Sequence, residues 1–102
     1  MISHSVWVRF KSSVDQSQKK EVYGEILALK DRISGMTDVR HGQNISPEGL
    51  HGGFMDGFIV TFETVTARDA YLVHPDHLAV AEKIVAAAEG ELSGILVFDM
   101  EI

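Results

Sequence analysis

The chain contains no cysteine. Disulfides, thiolate metal sites and thiol nucleophiles are therefore excluded. Proline is almost as scarce, with Pro47 and Pro75 the two present, so each marks a local break. No apolar run approaches the roughly 20 residues that a membrane helix needs. The opening Met1-Ile2-Ser3-His4 lacks the basic segment and apolar stretch of a signal peptide. A cytoplasmic protein that does not engage a membrane is the expectation. Basic residues are also few. Nine Lys and Arg face fifteen Asp and Glu, for a net charge of −6. The basic residues are scattered, with Lys19-Lys20 the one adjacent pair, and a phosphate-backbone binder needs them clustered. Nucleic acid is not an expected partner.

What remains is ordinary globular material. Hydrophobic residues make up 45% of the chain and charged residues 24%, and 102 residues make one domain, spanning 1–102. His4 to Phe10 alternates with period two. His4, Val6, Val8 and Phe10 share one face, and Ser5, Trp7 and Arg9 the other, which predicts a strand. Asp15 with Gln18 three residues on forms a capping box. Val22, Ile26, Leu29 and Ile33 then make one helical stripe, closed by Gly35.

A second strand is expected over Asp38–Ile45 and a third over Met55–Glu63, separated by the turn-rich Ser46-Pro47-Glu48-Gly49-Leu50-His51-Gly52-Gly53. Thr64 or Thr66 caps a short helix that Pro75 interrupts. Pro75 then opens another helix, with Leu78, Ala81, Ile84, Val85 and Ala88 as its stripe and Gly90 at its end. A fourth strand is expected over Gly94–Ile102, with Leu96, Phe98, Met100 and Ile102 facing the helices.

The order βαββαβ is the split-βαβ, ferredoxin-like pattern, an α+β fold with a four-stranded antiparallel sheet. Trp7, Ile59, Ile95 and Val97 are expected on the sheet face away from the helices. An apolar second face needs a cover, and a second copy related by a two-fold axis supplies it. A homodimer is the expected assembly.

The segment Tyr71-Leu72-Val73-His74-Pro75-Asp76-His77 resembles the Y-x-x-H-P-x-H signature of the stress-responsive dimeric A/B barrel (Dabb) family. His4-Ser5-Val6-Trp7-Val8-Arg9-Phe10-Lys11, Val60-Thr61-Phe62-Glu63 and Leu96-Val97-Phe98-Asp99 are similar to that family's strand blocks, in the right order. The resemblance implies a dimeric α+β barrel with a cavity between each sheet and its helices. In a plant polyketide cyclase of the family, the matching tyrosine and last histidine carry aldol chemistry. That implies Tyr71 and His77 as the catalytic pair here, with His4 lining the pocket. A further pocket histidine of the cyclase is replaced by Asp56, a departure that bears on the substrate.

Each of these residues also has a plainer use. His77 can bond a backbone carbonyl and hold the kink, and Tyr71 can be an amphipathic core tyrosine. His4 can be a satisfied core histidine, and His74 can cap the following helix. As a functional pair, His77 would be a general base and Tyr71 a hydrogen-bond donor to a carbonyl or developing oxyanion. Val6, Phe58 and Phe98 would shape the pocket and Asp56 would reach its rim.

The expected function is binding of a small, partly apolar carbonyl or carboxylate compound, with cofactor-independent lyase, cyclase or isomerase chemistry beside the carbonyl. No cofactor is expected, and no metal, since His74 and His77 lie three apart across Pro75 rather than four apart on one helix. The alternative is a non-catalytic stress-response or assembly protein. A cofactor-independent monooxygenase is a third possibility, which the signature around Pro75 disfavours.

Overall fold

A computed structural model describes residues 1–102. Its elements are β1 (Ile2–Val8), α1 (Gln16–Ala28), β2 (Met36–Gln43), β3 (Asp56–Phe62), α2 (Val65–Val73), α3 (Pro75–Ala87) and β4 (Ile95–Glu101). Single 3₁₀ turns follow α1 at Leu29–Asp31 and precede β4 at Glu91–Gly94. The four strands form one antiparallel sheet in the order β2-β3-β1-β4. This is the expected ferredoxin-like βαββαβ arrangement, with three helices because Pro75 splits the second helical stretch.

The local signals act where the chemistry requires. Asp15 accepts from the Gln18 amide at 2.8 Å while the Gln18 side chain accepts from the Asp15 amide at 2.8 Å, so two free donors of α1 are satisfied together. Of the two threonines that can start α2, Thr64 does so, accepting from the Ala67 amide at 3.1 Å. Helix α3 starts at Pro75, where a missing N–H costs nothing. His74 caps it, its Nδ1 accepting from the Asp76 amide at 3.1 Å. Gly35 has φ +83°, and a Cβ there would stand 2.5 Å from the Ala67 Cβ. Glycine is thus required both for the left-handed turn and for the approach of α2.

Several expectations shift. β1 begins at Ile2 and stops at Val8; Phe10 makes one isolated bridge to Ala88. β2 starts at Met36, with an irregularity between Met36 and Asp38, and ends at Gln43, leaving Ile45 exposed in the loop. The stripe of α1 includes buried Tyr23 beside Ile26. Val80, Ile84 and Ala88 are the buried residues around α3, and Leu78 faces outward.

The most consequential correction concerns β4. His4 pairs with Asp99, Val6 with Val97 and Val8 with Ile95. Directly paired residues point to the same side of a sheet. Ile95, Val97 and Asp99 therefore share the helix side with His4, Val6 and Val8, while Leu96, Phe98 and Met100 join Trp7 and Ile59 on the open side. Both rows of β4 are apolar, so alternation alone does not set the phase.

The core is one cluster of fifteen buried hydrophobic residues between the sheet and the helices. It includes Val6, Val8, Ile26, Phe58, Val60, Phe62, Tyr71 and Ile84. On the other side of the sheet, Trp7, Ile59, Leu96, Phe98 and Met100 are all exposed. Helix and sheet have one apolar layer between them, and a second apolar layer faces outward.

Candidate active site

Tyr71 stands near the end of α2, and its side chain is fully buried. Its ring lies 5.0 Å from Phe62, 5.8 Å from His4 and 4.0 Å from His77 between centroids. The break at His74-Pro75 makes the last contact: α2 stops, α3 leaves in a new direction, and the first turn of α3 folds the His77 ring over that of Tyr71. Three residues named from the sequence, Tyr71, His77 and His4, are thus brought together. They pack in contact, with His77 tilted against the Tyr71 ring and His4 edge-on to it, rather than facing one another across open space.

The Tyr71 hydroxyl is buried and makes no hydrogen bond. Burial raises its pKa well above the usual tyrosine value, because the phenolate would lose its hydration. The group is therefore a neutral donor. His77 is half-buried, and its Nδ1 lies 3.4 Å from the Leu72 carbonyl, the local backbone contact that also steadies the kink. Burial lowers the pKa of His77, the Leu72 carbonyl opposes this, and His4 and His74 lower it further. The ring is thus kept neutral and able to accept a proton.

His4 is buried on the helix side of β1, with Nδ1 2.6 Å from Asp99 Oδ1. The second oxygen of Asp99 accepts from Arg68 at 2.7 Å, and Arg68 Nε donates to Asp69 at 2.8 Å. A carboxylate only accepts, so the His4 hydrogen sits on Nδ1. Asp99 and Arg68 escape sequence reasoning because β4 is apolar on both faces. The available signal was Asp99, the one acid within the otherwise apolar run Ile95–Met100.

The other named residues lie apart. Val6 is buried one pleat further along β1 than His4. Phe58, paired with Val6, packs edge-on to Tyr23 at 6.0 Å, not to Tyr71. Phe98 is on the open face of the sheet and reaches neither Tyr71 nor His77, because β4 has the opposite phase. Asp56 faces the helices but pairs with Val8, not with His4. That is four residues along, about 13 Å at a strand's rise. It is buried against Lys19 at 3.1 Å.

Around it gather Tyr23, whose buried hydroxyl is also unpartnered, and His41, stacked on the Tyr23 ring at 4.5 Å. A cavity of about 680 Å³ opens beyond Asp56, between the open sheet face and the β2–β3 loop. Trp7, Arg40, Leu50, His51, Phe54 and Leu96 are among its walls. Tyr71, His77 and His4 are not.

A family description, stress responsive A/B barrel domain, matches residues 2–102. The chain belongs to the stress-responsive A/B barrel family. Olivetolic acid cyclase of Cannabis sativa is 29% identical over 77 residues, 76% of each chain. The stress-response A/B barrel domain-containing protein HS1 of Arabidopsis thaliana is 30% identical over 98 residues, 96% of this chain and 86% of that one. Among solved structures, a dimeric ferredoxin-like protein of Jannaschia sp. CCS1 is 31% identical, covers 99% of this chain and 98% of its own, and superposes with a TM-score of 0.91. No helix of this A/B barrel chain is long and apolar enough to cross a membrane.

Proposed function

We propose that this A/B barrel protein works as a homodimer that binds a small, partly apolar carbonyl compound at Tyr71 and His77. Cofactor-independent chemistry beside that carbonyl follows, with Tyr71 donating to the oxygen and His77 acting as base. The observation that carries the reading is the Tyr71 hydroxyl, buried without a partner. Leaving such a group unsatisfied costs roughly 1–3 kcal/mol, and a carbonyl oxygen is the acceptor that would recover it. His77 packs at a tilt against the same ring at 4.0 Å, with its proton affinity lowered by burial, which suits a base at neutral pH. The similarity to olivetolic acid cyclase supports proton abstraction and carbon–carbon closure as the reaction class. Entry of a ligand requires the two rings to part, since they touch.

Support for the dimer comes from the outward row of Trp7, Ile59, Leu96, Phe98 and Met100 and from the dimeric Jannaschia protein.

A non-catalytic assembly role is the second reading. What favours it is the direct contact of Tyr71 with His77 and the location of the large cavity away from both.

The test uses 2-heptanone, an apolar methyl ketone, and follows exchange of its α-hydrogens with D2O by NMR. Wild-type protein should accelerate exchange. His77→Ala should reduce the effect about 100-fold, and Tyr71→Phe should weaken it without lowering Tm, since the lost hydroxyl has no partner. No acceleration by wild type, or variants that act only by unfolding the chain, leaves the assembly reading in place.

A further inference from the structure

We propose that Arg68 is a positioning residue whose hold on Asp99 fixes His4 with its Nε2 bare, making His4 a second base beside Tyr71. The inference rests on the reading that the Tyr71 pocket is the working site.

The geometry has three links. Arg68 and Tyr71 are three residues apart on α2, a spacing that puts both on the same helix face. Where Tyr71 enters the layer beneath α2, Arg68 therefore reaches the edge strand β4, and its guanidinium meets Asp99 Oδ2 at 2.7 Å. The other Asp99 oxygen meets His4 Nδ1 at 2.6 Å. Asp69, on the solvent side, accepts from Arg68 Nε at 2.8 Å, so the guanidinium is oriented from both ends.

Asp99 needs such a hold. It lies on an edge strand and is partly open to water, where a carboxylate would otherwise sample several rotamers. Arginine's planar fork serves two carboxylates at fixed angles in a way that a point charge on a flexible stem does not. With Nδ1–H committed to Asp99, His4 leaves Nε2 as its one free ring nitrogen. The imidazole is buried and meets Tyr71 edge-on at 5.8 Å. Tyr71 thus has a histidine on each side, and they differ in support. His77 has a single 3.4 Å contact to a backbone carbonyl, whereas His4 has a carboxylate and, behind it, a guanidinium.

A purely structural ion pair would tie α2 to β4 and leave the His4 ring indifferent. The two roles separate on the tautomer. Long-range ¹H–¹⁵N spectra of the uniformly labelled 102-residue chain at pH 8 read the protonated nitrogen of each histidine directly. Wild type should show His4 in the Nδ1–H form. Arg68→Met, which keeps the apolar stem, should raise the Nε2–H fraction about fivefold or more, the scale of losing a charge-assisted contact. Arg68→Lys, which keeps the charge without the fork, should recover only part of the wild-type distribution, and Asp99→Ala should abolish the preference.

An unchanged His4 tautomer in Arg68→Met overturns the proposal. If Arg68→Met does not fold, Arg68→Gln is read in the same way and with the same consequence. No ligand enters this experiment. Failure of ketone exchange with a responsive His4 tautomer would remove the function and keep the clamp. Exchange that survives beside an unresponsive tautomer would do the reverse.

Discussion

His77 shows how one side chain's surroundings set its use. Burial holds its pKa below the ordinary histidine value, and His4 and His74 add to the effect against the Leu72 carbonyl. A histidine with a depressed folded pKa binds fewer protons folded than unfolded. Its contribution is fully present above the unfolded value of about 6.5 and is lost as pH falls toward the lower folded value. Urea unfolding of the wild type should therefore show stability falling between about pH 7 and pH 5, and His77→Phe should show a shallower fall. Equal slopes would mean that the ring is as well hydrated folded as unfolded. Tyr71 and His77 were legible in the sequence because the segment around Pro75 resembles a family signature, and His4 because the first strand resembles a block of the same family. Asp99 and Arg68 were not, since their role depends on which way β4 faces.

Elements were easier to read than their phases. The capping box at Asp15, the prolyl start of α3 and the turn at Gly35 are local signals, and each acts within a few residues of itself. β2 and β4 were harder. β2 carries few apolar residues to mark its ends, and β4 carries them on both sides. The Gly35 turn makes a sharp prediction at this scale. Gly35→Ala meets both the strained φ of +83° and the Ala67 methyl, so it should lower stability by more than about 1 kcal/mol in thermal or denaturant unfolding. Ala67→Gly should relieve part of that loss in the double variant by removing the clash while leaving the strain. If Gly35→Ala unfolds as wild type does, α2 is not packed on this turn.

At the scale of the molecule, a sheet with two apolar faces sets the assembly. The outward row runs through Trp7, Ile59, Leu96, Phe98 and Met100. It is not the row of Ile95 and Val97 that alternation suggested, although the need for a cover was evident from apolar residues on both faces of the strands. Light scattering of dilute protein should give about twice the 11.2 kDa chain mass. Phe98→Glu should produce monomer or loss of fold, because a buried unpaired charge is costly. Leu78→Glu, on the outer side of α3, should leave the dimer intact. A wild-type monomer with unchanged unfolding in Phe98→Glu would exclude this face.

The strand order β2-β3-β1-β4 also governs how the chain reaches its native state. Only β2 and β3 are joined as sequence neighbours, through the loop of residues 44–55. β1, one of the two central strands, must wait for partners that begin at Asp56 and Ile95. Closing loops of that length costs entropy before any contact repays it. The β2–β3 hairpin is therefore the natural nucleus, and docking of β4 completes the sheet. His4 and Asp99 are 95 positions apart, so their pair forms only once β4 has docked beside β1.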